Sequence, residues 1–355
     1  YDGVFNATNE EHWNQDIHDI LEIGANSVRL SHYQHPQEMY RLCDEQGLIV
    51  WAEIPMLKMT ESEALLENAC SQLEELILQN IHHPSICFWG IQNEIAMFGE
   101  NQGMYERVKR LGDLAKQLDP SRISSCANLF CVKNDSVLNK LTEAVGYNIY
   151  FGWYYGEMKD SEAFVEKFHE DNPHIPLGIT EYGVDCNLAF HSQDPKVKDY
   201  SEEFQALYHE TVYPMFKSKP YIWGTYVWNL YDFSSEIRDE GGLKHKNGKG
   251  LITFDRKIKK DAYYYYMAQW SSKPFVKIAQ SRSVKREQPE ICITVYSNQK
   301  EVDLYVNQNC YKGFSESGVF HFYKIALGQG ENRVKAVSGE WEDEAVFCGV
   351  TEKEL

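Results

Sequence analysis

From the N-terminus to about residue 272, two patterns alternate: segments with an apolar residue every three or four positions, and short runs that are apolar almost throughout. The first kind predicts helices. HWNQDIHDILEIG puts Trp13, Ile17, Ile20 and Leu21 on one stripe and stops at Gly24, and EMYRLCDEQG repeats the scheme with Met39, Leu42, Cys43 and Gly47. ESEALLENACSQLEELILQNI aligns Leu66, Ala69, Leu73, Ile77 and Ile81, and further helices are predicted over about 101–118, 161–169 and 199–217. Between them lie seven runs, 27–33, 48–55, 85–95, 123–130, 144–154, 176–183 and 221–233. Continuous apolarity is what strands buried on both faces require, and their alternation with helices is the signature of βα units around a parallel sheet. Seven is one short of a closed (β/α)8 TIM-type barrel. Because YDGVFNATNEEHW leads straight into a helix, the first barrel strand is expected upstream of Tyr1. The alternative, an open doubly wound sheet, would need a Gly-rich phosphate turn after a first strand, and none is present.

After Lys273 and Pro274 the period changes to two. PFVKIAQ, ICITVYSN, EVDLYVNQ, VFHFYKI, NRVKAVSG and EAVFCGV alternate apolar and polar residues, separated by turn sequences such as SNQK and GQGEN. The reading is therefore an α/β barrel over 1–272 followed by a small antiparallel, all-β sandwich over 273–355.

Composition narrows the partners. The net charge of -18 is spread without a Lys/Arg cluster, which argues against nucleic acid and anionic membranes, and no stretch approaches the roughly 20 apolar residues of a membrane span. The 23 Tyr and 8 Trp often end apolar runs, where a ring can offer its face to a sugar. The nine Cys are scattered singly with no C-x-x-C, so buried, reduced thiols in a reducing, cytoplasmic compartment are expected. A small carbohydrate is the expected partner, and a homo-oligomer is left open.

In a barrel of this kind the reactive face lies at the C-terminal ends of the strands. Polar residues that interrupt the last positions of the runs are Arg29, His32, Glu53, Asn93, Glu94, Asn148, Tyr150, Glu181, Trp228, Asn229 and Asp232. Glu94 ends FWGIQNE and Glu181 ends PLGITE, so two strands bring two carboxyls to one mouth. Such a pair is the equipment for hydrolysing a glycosidic bond: burial keeps one acid protonated while a cation such as Arg29 keeps the other ionised. A single strand-end Glu is more often solvated or a helix cap; Asn93 directly before one and Tyr182 directly after the other weigh against that reading. His32 and His35 lack a third ligand, so no metal centre and no cofactor is expected. His82 and His83 are assigned to a loop, and the YYYY run at 263–266 to helix packing.

The strings GANSVRLSHYQHP, CDEQGLIVWAEIP, HPSICFWGIQNE, GYNIYFGWY, PLGITEYGVD, WGTYVWNLYDF and GKGLITFDRKIKKDAYYYYMAQW, in that order, resemble the catalytic domain of glycoside hydrolase family 2, the β-galactosidase and β-glucuronidase family. The resemblance implies that Glu94 is the general acid/base and Glu181 the nucleophile of a retaining mechanism, with carboxyls about 5 to 5.5 Å apart. It further implies that Asn93 donates to the sugar 2-hydroxyl, that Arg29 and Tyr150 hold the nucleophile, and that Trp228 and His32 line the pocket. The trailing sandwich resembles the immunoglobulin-like domains found after such barrels. Family members carry two β-domains ahead of the barrel; the chain as given has neither, so a catalytically incomplete fragment stands beside the enzyme reading. Asn247 and Lys249 in NGKG have the Asn-x-Lys form that meets the sugar carboxylate in β-glucuronidases. The surrounding GKGLITFDRKIKKDAYYYY looks more like the β-galactosidase branch, so terminal β-galactosides are the expected substrates and glucuronides the alternative.

Overall fold

The computed structural model describes residues 1–350. Helix α1 (Glu10–Ile23) starts at a reciprocal cap: Asn9 Oδ1 accepts the His12 N–H at 3.3 Å while His12 Nδ1 accepts the Asn9 N–H at 3.2 Å. It stops at Gly24, whose φ of 85° is the left-handed conformation a side chain disfavours. The chain then alternates β1 (Ser27–Leu30), α2 (Gln37–Gln46), β2 (Ile49–Glu53), α3 (Glu63–Asn80), β3 (Ile86–Asn93), α4 (Gln102–Leu118), β4 (Ile123–Leu129), β5 (Ala144–Asn148), α5 (Asp160–Asp171), β6 (Leu177–Tyr182), α6 (Glu202–Lys217) and β7 (Ile222–Val227). All seven strands are parallel and pair in chain order, so each crossover helix covers the outside of a nearly closed barrel.

Inside, an aromatic layer fills the barrel beneath its mouth. Trp51 stacks on Phe88 and Trp223 with ring centroids 5.7 and 5.8 Å apart, and Gly90 makes the space, since a Cβ there would lie 2.3 Å from Trp51 Nε1. Arg29 sits over the Trp51 ring at 5.6 Å and so carries its charge to the floor of the mouth.

Among the described residues β1 and β7 do not pair with each other. The open seam is a groove of about 1570 Å³ whose walls include Val28, Phe88, Trp223 and Tyr226.

The segment after the last barrel strand differs from the sequence reading. The last barrel strand ends at Val227, not Phe233, and the chain continues as an antiparallel hairpin, β8 (Phe233–Glu240) and β9 (Leu243–Asn247), turning at Gly241 and Gly242. The hairpin was invisible because SSEIRDE and LKHK have no apolar run. Helix α7 (Asp261–Trp270) carries the tyrosine run; Tyr263, Tyr265 and Tyr266 are buried against α1, α6 and the strands that follow.

Those strands are β10 (Val276–Ile278), β11 (Lys285–Arg286), β12 (Glu290–Ser297), β13 (Glu301–Val306), β14 (Asn309–Phe314), β15 (Val319–Ala326), β16 (Gly330–Ser338) and β17 (Trp341–Gly349). They form two sheets, β10-β12-β15 and β11-β17-β16-β13-β14, around a core that includes Ile293, Val295, Leu304, Phe320 and Val334. The sandwich is not wholly antiparallel, because β11 runs parallel to β17. Nor are the thiols uniformly buried: Cys131 and Cys310 are exposed.

Candidate active site

Strand ends β1, β2, β3, β5 and β6 converge on one polar cluster. Arg29 is its hub: Nε and Nη2 donate to the two Glu53 oxygens at 2.9 and 3.0 Å, Nη1 to Glu181 Oε1 at 2.8 Å, and Nη2 also to Asn93 Oδ1 at 2.8 Å. The guanidinium fork suits this because its donors leave in fixed directions, so one side chain aims three others. Burial pushes the Glu53 carboxyl up, but the adjacent Arg29 and then His32 outweigh it and hold Glu53 below the usual range.

Glu181 is held from both sides. Tyr150 Oη donates to Glu181 Oε2 at 2.7 Å while Arg29 takes Oε1. Both bonds fix the direction of the carboxylate. Glu94 has the opposite surroundings: burial first, and the nearby Glu181 charge second, push its carboxyl up to about 7. Its backbone takes the left-handed φ of 55°, with its N–H donating to Ala127 O at 2.9 Å, so the chain turns sharply off β3 where the acid is presented.

Asn148 joins the two halves of the site, its Nδ2 donating to Asn93 Oδ1 at 3.0 Å and Glu94 Oε1 at 2.9 Å. Asn93 Oδ1 is thus taken twice, and among the described residues its Nδ2 has no protein acceptor. His32 Nδ1 donates to Glu53 Oε1 at 2.7 Å, and its ring stacks on Trp228 with centroids 5.1 Å apart, which forms one wall of the mouth.

Lys249 approaches from the opposite wall. Its side chain is 1% exposed, and Nζ donates to Tyr154 Oη and to Asp185 while lying 5.8 Å from the centroid of the Tyr150 ring. Burial drives its ammonium down to about 8 against the pull of Asp185. Asn247 Oδ1 accepts the Lys249 N–H at 3.0 Å and fixes the turn that delivers it. Asp232, by contrast, lies behind this turn, paired with Lys260 at 2.8 Å and accepting the Gly250 N–H at 2.9 Å.

All nine residues singled out from the sequence, Arg29, His32, Asn93, Glu94, Tyr150, Glu181, Trp228, Asn247 and Lys249, therefore lie in or directly behind one mouth. A carboxyl pushed up by burial, a second one aimed by two donors and a free amide donor around one opening can protonate a leaving oxygen, attack an acetal carbon and bind a hydroxyl.

The family's sequence profile, "Glycosyl hydrolases family 2, TIM barrel domain", matches residues 6–273. The chain belongs to glycosyl hydrolase family 2. Within that family, a Bacteroides fragilis β-glucuronidase is 36% identical over 352 residues, covering 94% of this chain and 50% of the relative. A solved FMN-binding β-glucuronidase from Facaelibacterium prausnitzii L2-6 is 41% identical with a TM-score of 0.94, covering 97% of this chain and 54% of that one. A solved putative β-galactosidase from B. fragilis is 37% identical with a TM-score of 0.92, covering 98% and 53%. The chain spans about half the length of the curated relatives it matches.

Five residues of the cluster are not singled out as site residues by sequence reasoning, although Glu53 and Asn148 stand at strand ends. Tyr154 ends the apolar run 144–154, and Asp185 lies four residues beyond Glu181 in a loop that no periodicity describes. Arg238 arrives on the hairpin, for which there was no signal.

Proposed function

We propose that this chain carries the reacting centre of a retaining β-glucuronidase. Glu181 attacks the anomeric carbon and Glu94 protonates the departing oxygen, giving a covalent glycosyl-enzyme; Glu94 then takes a proton from water as that water displaces Glu181. Arg29 and Tyr150 keep Glu181 aimed, and the free Asn93 amide donates to the sugar 2-hydroxyl. His32 and Trp228 make the sugar wall. What carries the choice of sugar is Lys249: a buried ammonium stands one tyrosine ring away from Glu181, where the far end of a bound sugar would lie. A sugar carboxylate would add a charge-assisted contact to the ammonium that Asp185 already pairs, which the 6-hydroxyl of a neutral galactose would not.

The expectation of galactosides gives way on this ground. The names of the relatives agree with it in part: the 36% identical Bacteroides fragilis relative and the 41% identical structure are named β-glucuronidases, and the 37% identical structure a putative β-galactosidase. A panel of 4-nitrophenyl β-glucuronide, β-galactoside and β-mannoside on the complete polypeptide tests it. The glucuronide is expected to have the highest kcat/KM, and Lys249→Met to abolish that advantage; a galactoside preferred by the wild type would overturn the reading.

A second reading, a scaffold whose site is incomplete in this chain alone, is favoured by the open seam between β1 and β7. Equal kcat/KM for this chain and the complete polypeptide would dismiss it.

A further inference from the structure

Two amides at the strand ends are oriented by their neighbours, because the Arg29 guanidinium has donors and no acceptor. Arg29 Nη2 donates to Asn93 Oδ1 at 2.8 Å, so that atom is the amide oxygen. The Asn148 atom 3.0 Å from the same oxygen is therefore its nitrogen, since two oxygens would repel. Thr180 on β6 completes the chain, its Oγ1 donating to Asn148 Oδ1 at 2.7 Å. Gly146 on β5 makes room for that side chain: a Cβ there would lie 2.1 Å from Thr180 Cγ2 and 2.8 Å from Oγ1. Asn148 and Thr180 are 0% and 1% exposed, so each depends on the other for its hydrogen bond.

Both Asn148 hydrogens are then committed. One goes to Asn93 Oδ1 and the other to Glu94 Oε1 at 2.9 Å. In a carboxylic acid the carbonyl oxygen is the good acceptor and the hydroxyl oxygen a poor one, so this N–H makes Oε1 the carbonyl and puts the proton on Oε2.

We propose that Asn148 and Thr180 are positioning residues for proton transfer: Thr180 orients the Asn148 amide, and Asn148 assigns the Glu94 proton to Oε2, the oxygen that delivers it to the leaving group. The proposal rests on the reading of Glu94 as the acid/base of a β-glucuronidase. In the first step the Oε2–H bond breaks and its proton passes to the glycosidic oxygen, which keeps the electron pair of its broken bond to the anomeric carbon while Glu181 bonds to that carbon. The charge left on Glu94 turns the Asn148 N–H into a charge-assisted bond to Oε1. In the second step Glu94 regains a proton from the water that displaces Glu181. Asn148 thus makes Glu94 a stronger acid, against the burial and the Glu181 charge that push its carboxyl up to about 7. The other titratable or charged groups facing Glu94 are His32, Arg29, Tyr150, Tyr155 and Cys131.

The test uses Asn148→Leu, Thr180→Val and Thr180→Ser in the complete polypeptide. Infrared difference spectra against Glu94→Gln follow the titration of the Glu94 carboxyl, and kcat/KM is measured against pH on phenyl and 2,4-dinitrophenyl β-glucuronides, whose leaving groups do and do not need a proton. Asn148→Leu is expected to raise the infrared midpoint by about one pH unit, because a hydrogen bond to the charged form is lost. The alkaline limb on the phenyl glucuronide moves up with it, and kcat/KM below the limb falls about 10-fold further than on the dinitrophenyl glucuronide. Thr180→Val moves the midpoint the same way by less and carries the test if Asn148→Leu does not fold; Thr180→Ser, which keeps the hydroxyl, restores it. A midpoint unmoved by Asn148→Leu or, in its place, by Thr180→Val overturns the proposal, as does an equal loss on the two leaving groups. A midpoint that moves in a polypeptide that cleaves no glucuronide leaves the amide relay standing and removes the β-glucuronidase reading instead.

Discussion

At the scale of the residue, the site works by giving two chemically identical side chains opposite neighbours. Glu181 has a guanidinium and a phenol as donors; Glu94 has burial and a like charge. Glu181→Gln and Glu94→Gln are each expected to lower kcat on a glucuronide by about 10² to 10⁴ or more, and undiminished turnover in either variant would remove its role. With Glu94 as the proposed acid, its proton is expected to set the alkaline side of the pH profile. Its carboxyl lies at about 7, so as an acid it is competent below that pH, and kcat/KM should fall as pH rises through about 7. With Glu94→Gln the limb should vanish when a leaving group that needs no protonation is used. A second limb belongs to recognition: Lys249 is charged below about 8, so glucuronate binding should fade as pH rises above that value. The groups facing Lys249 are Asp185, Tyr154, Tyr150, Arg238, Glu240 and Lys198.

At the scale of the element, strands aim and loops discriminate. Parallel pairing on both sides fixes the ends of β2, β3, β5 and β6, and β1 is held by β2 alone, so Arg29, Glu53, Asn93, Asn148 and Glu181 meet within hydrogen-bonding distance although they come from five strands. The segment after β7 is held differently, by close backbone contact. Gly250 follows Lys249, and a Cβ there would lie 1.9 Å from Asp232 N and 2.2 Å from Tyr231 C. Because those atoms are backbone, they cannot step aside. Gly250→Ala is expected to destabilise the protein by about 1 to 3 kcal/mol and to displace Lys249. Thermal unfolding and glucuronide KM should both change; an unaltered melting temperature would show that the segment can shift.

At the scale of the whole molecule, the barrel and the sandwich share buried polar contacts. Arg282 bridges Glu202 of α6 and Asp261 of α7, and Tyr296 of β12 donates to Glu210 of α6. Burial raises the Glu210 carboxyl to about 7, while in the unfolded chain it titrates in the ordinary range. The folded state then binds the extra proton, so this group's contribution to stability declines as pH rises between about 4.5 and 7. Glu210→Gln should raise the melting temperature at pH 8 and lose the advantage near pH 4. With 16% of the side chain open to water the gain is about 1 kcal/mol. Equal melting temperatures at both pH values would refute it. The sequence alone determined the barrel strands, their order and the two glutamates, because burial on both faces demands continuous apolar runs and a strand-end acid interrupts such a run visibly. Only the tertiary structure decided the hairpin, the Arg29 hub and the Lys249–Asp185–Arg238 group. Those contacts join residues from separate loops, where no periodicity in the chain records which charges will meet.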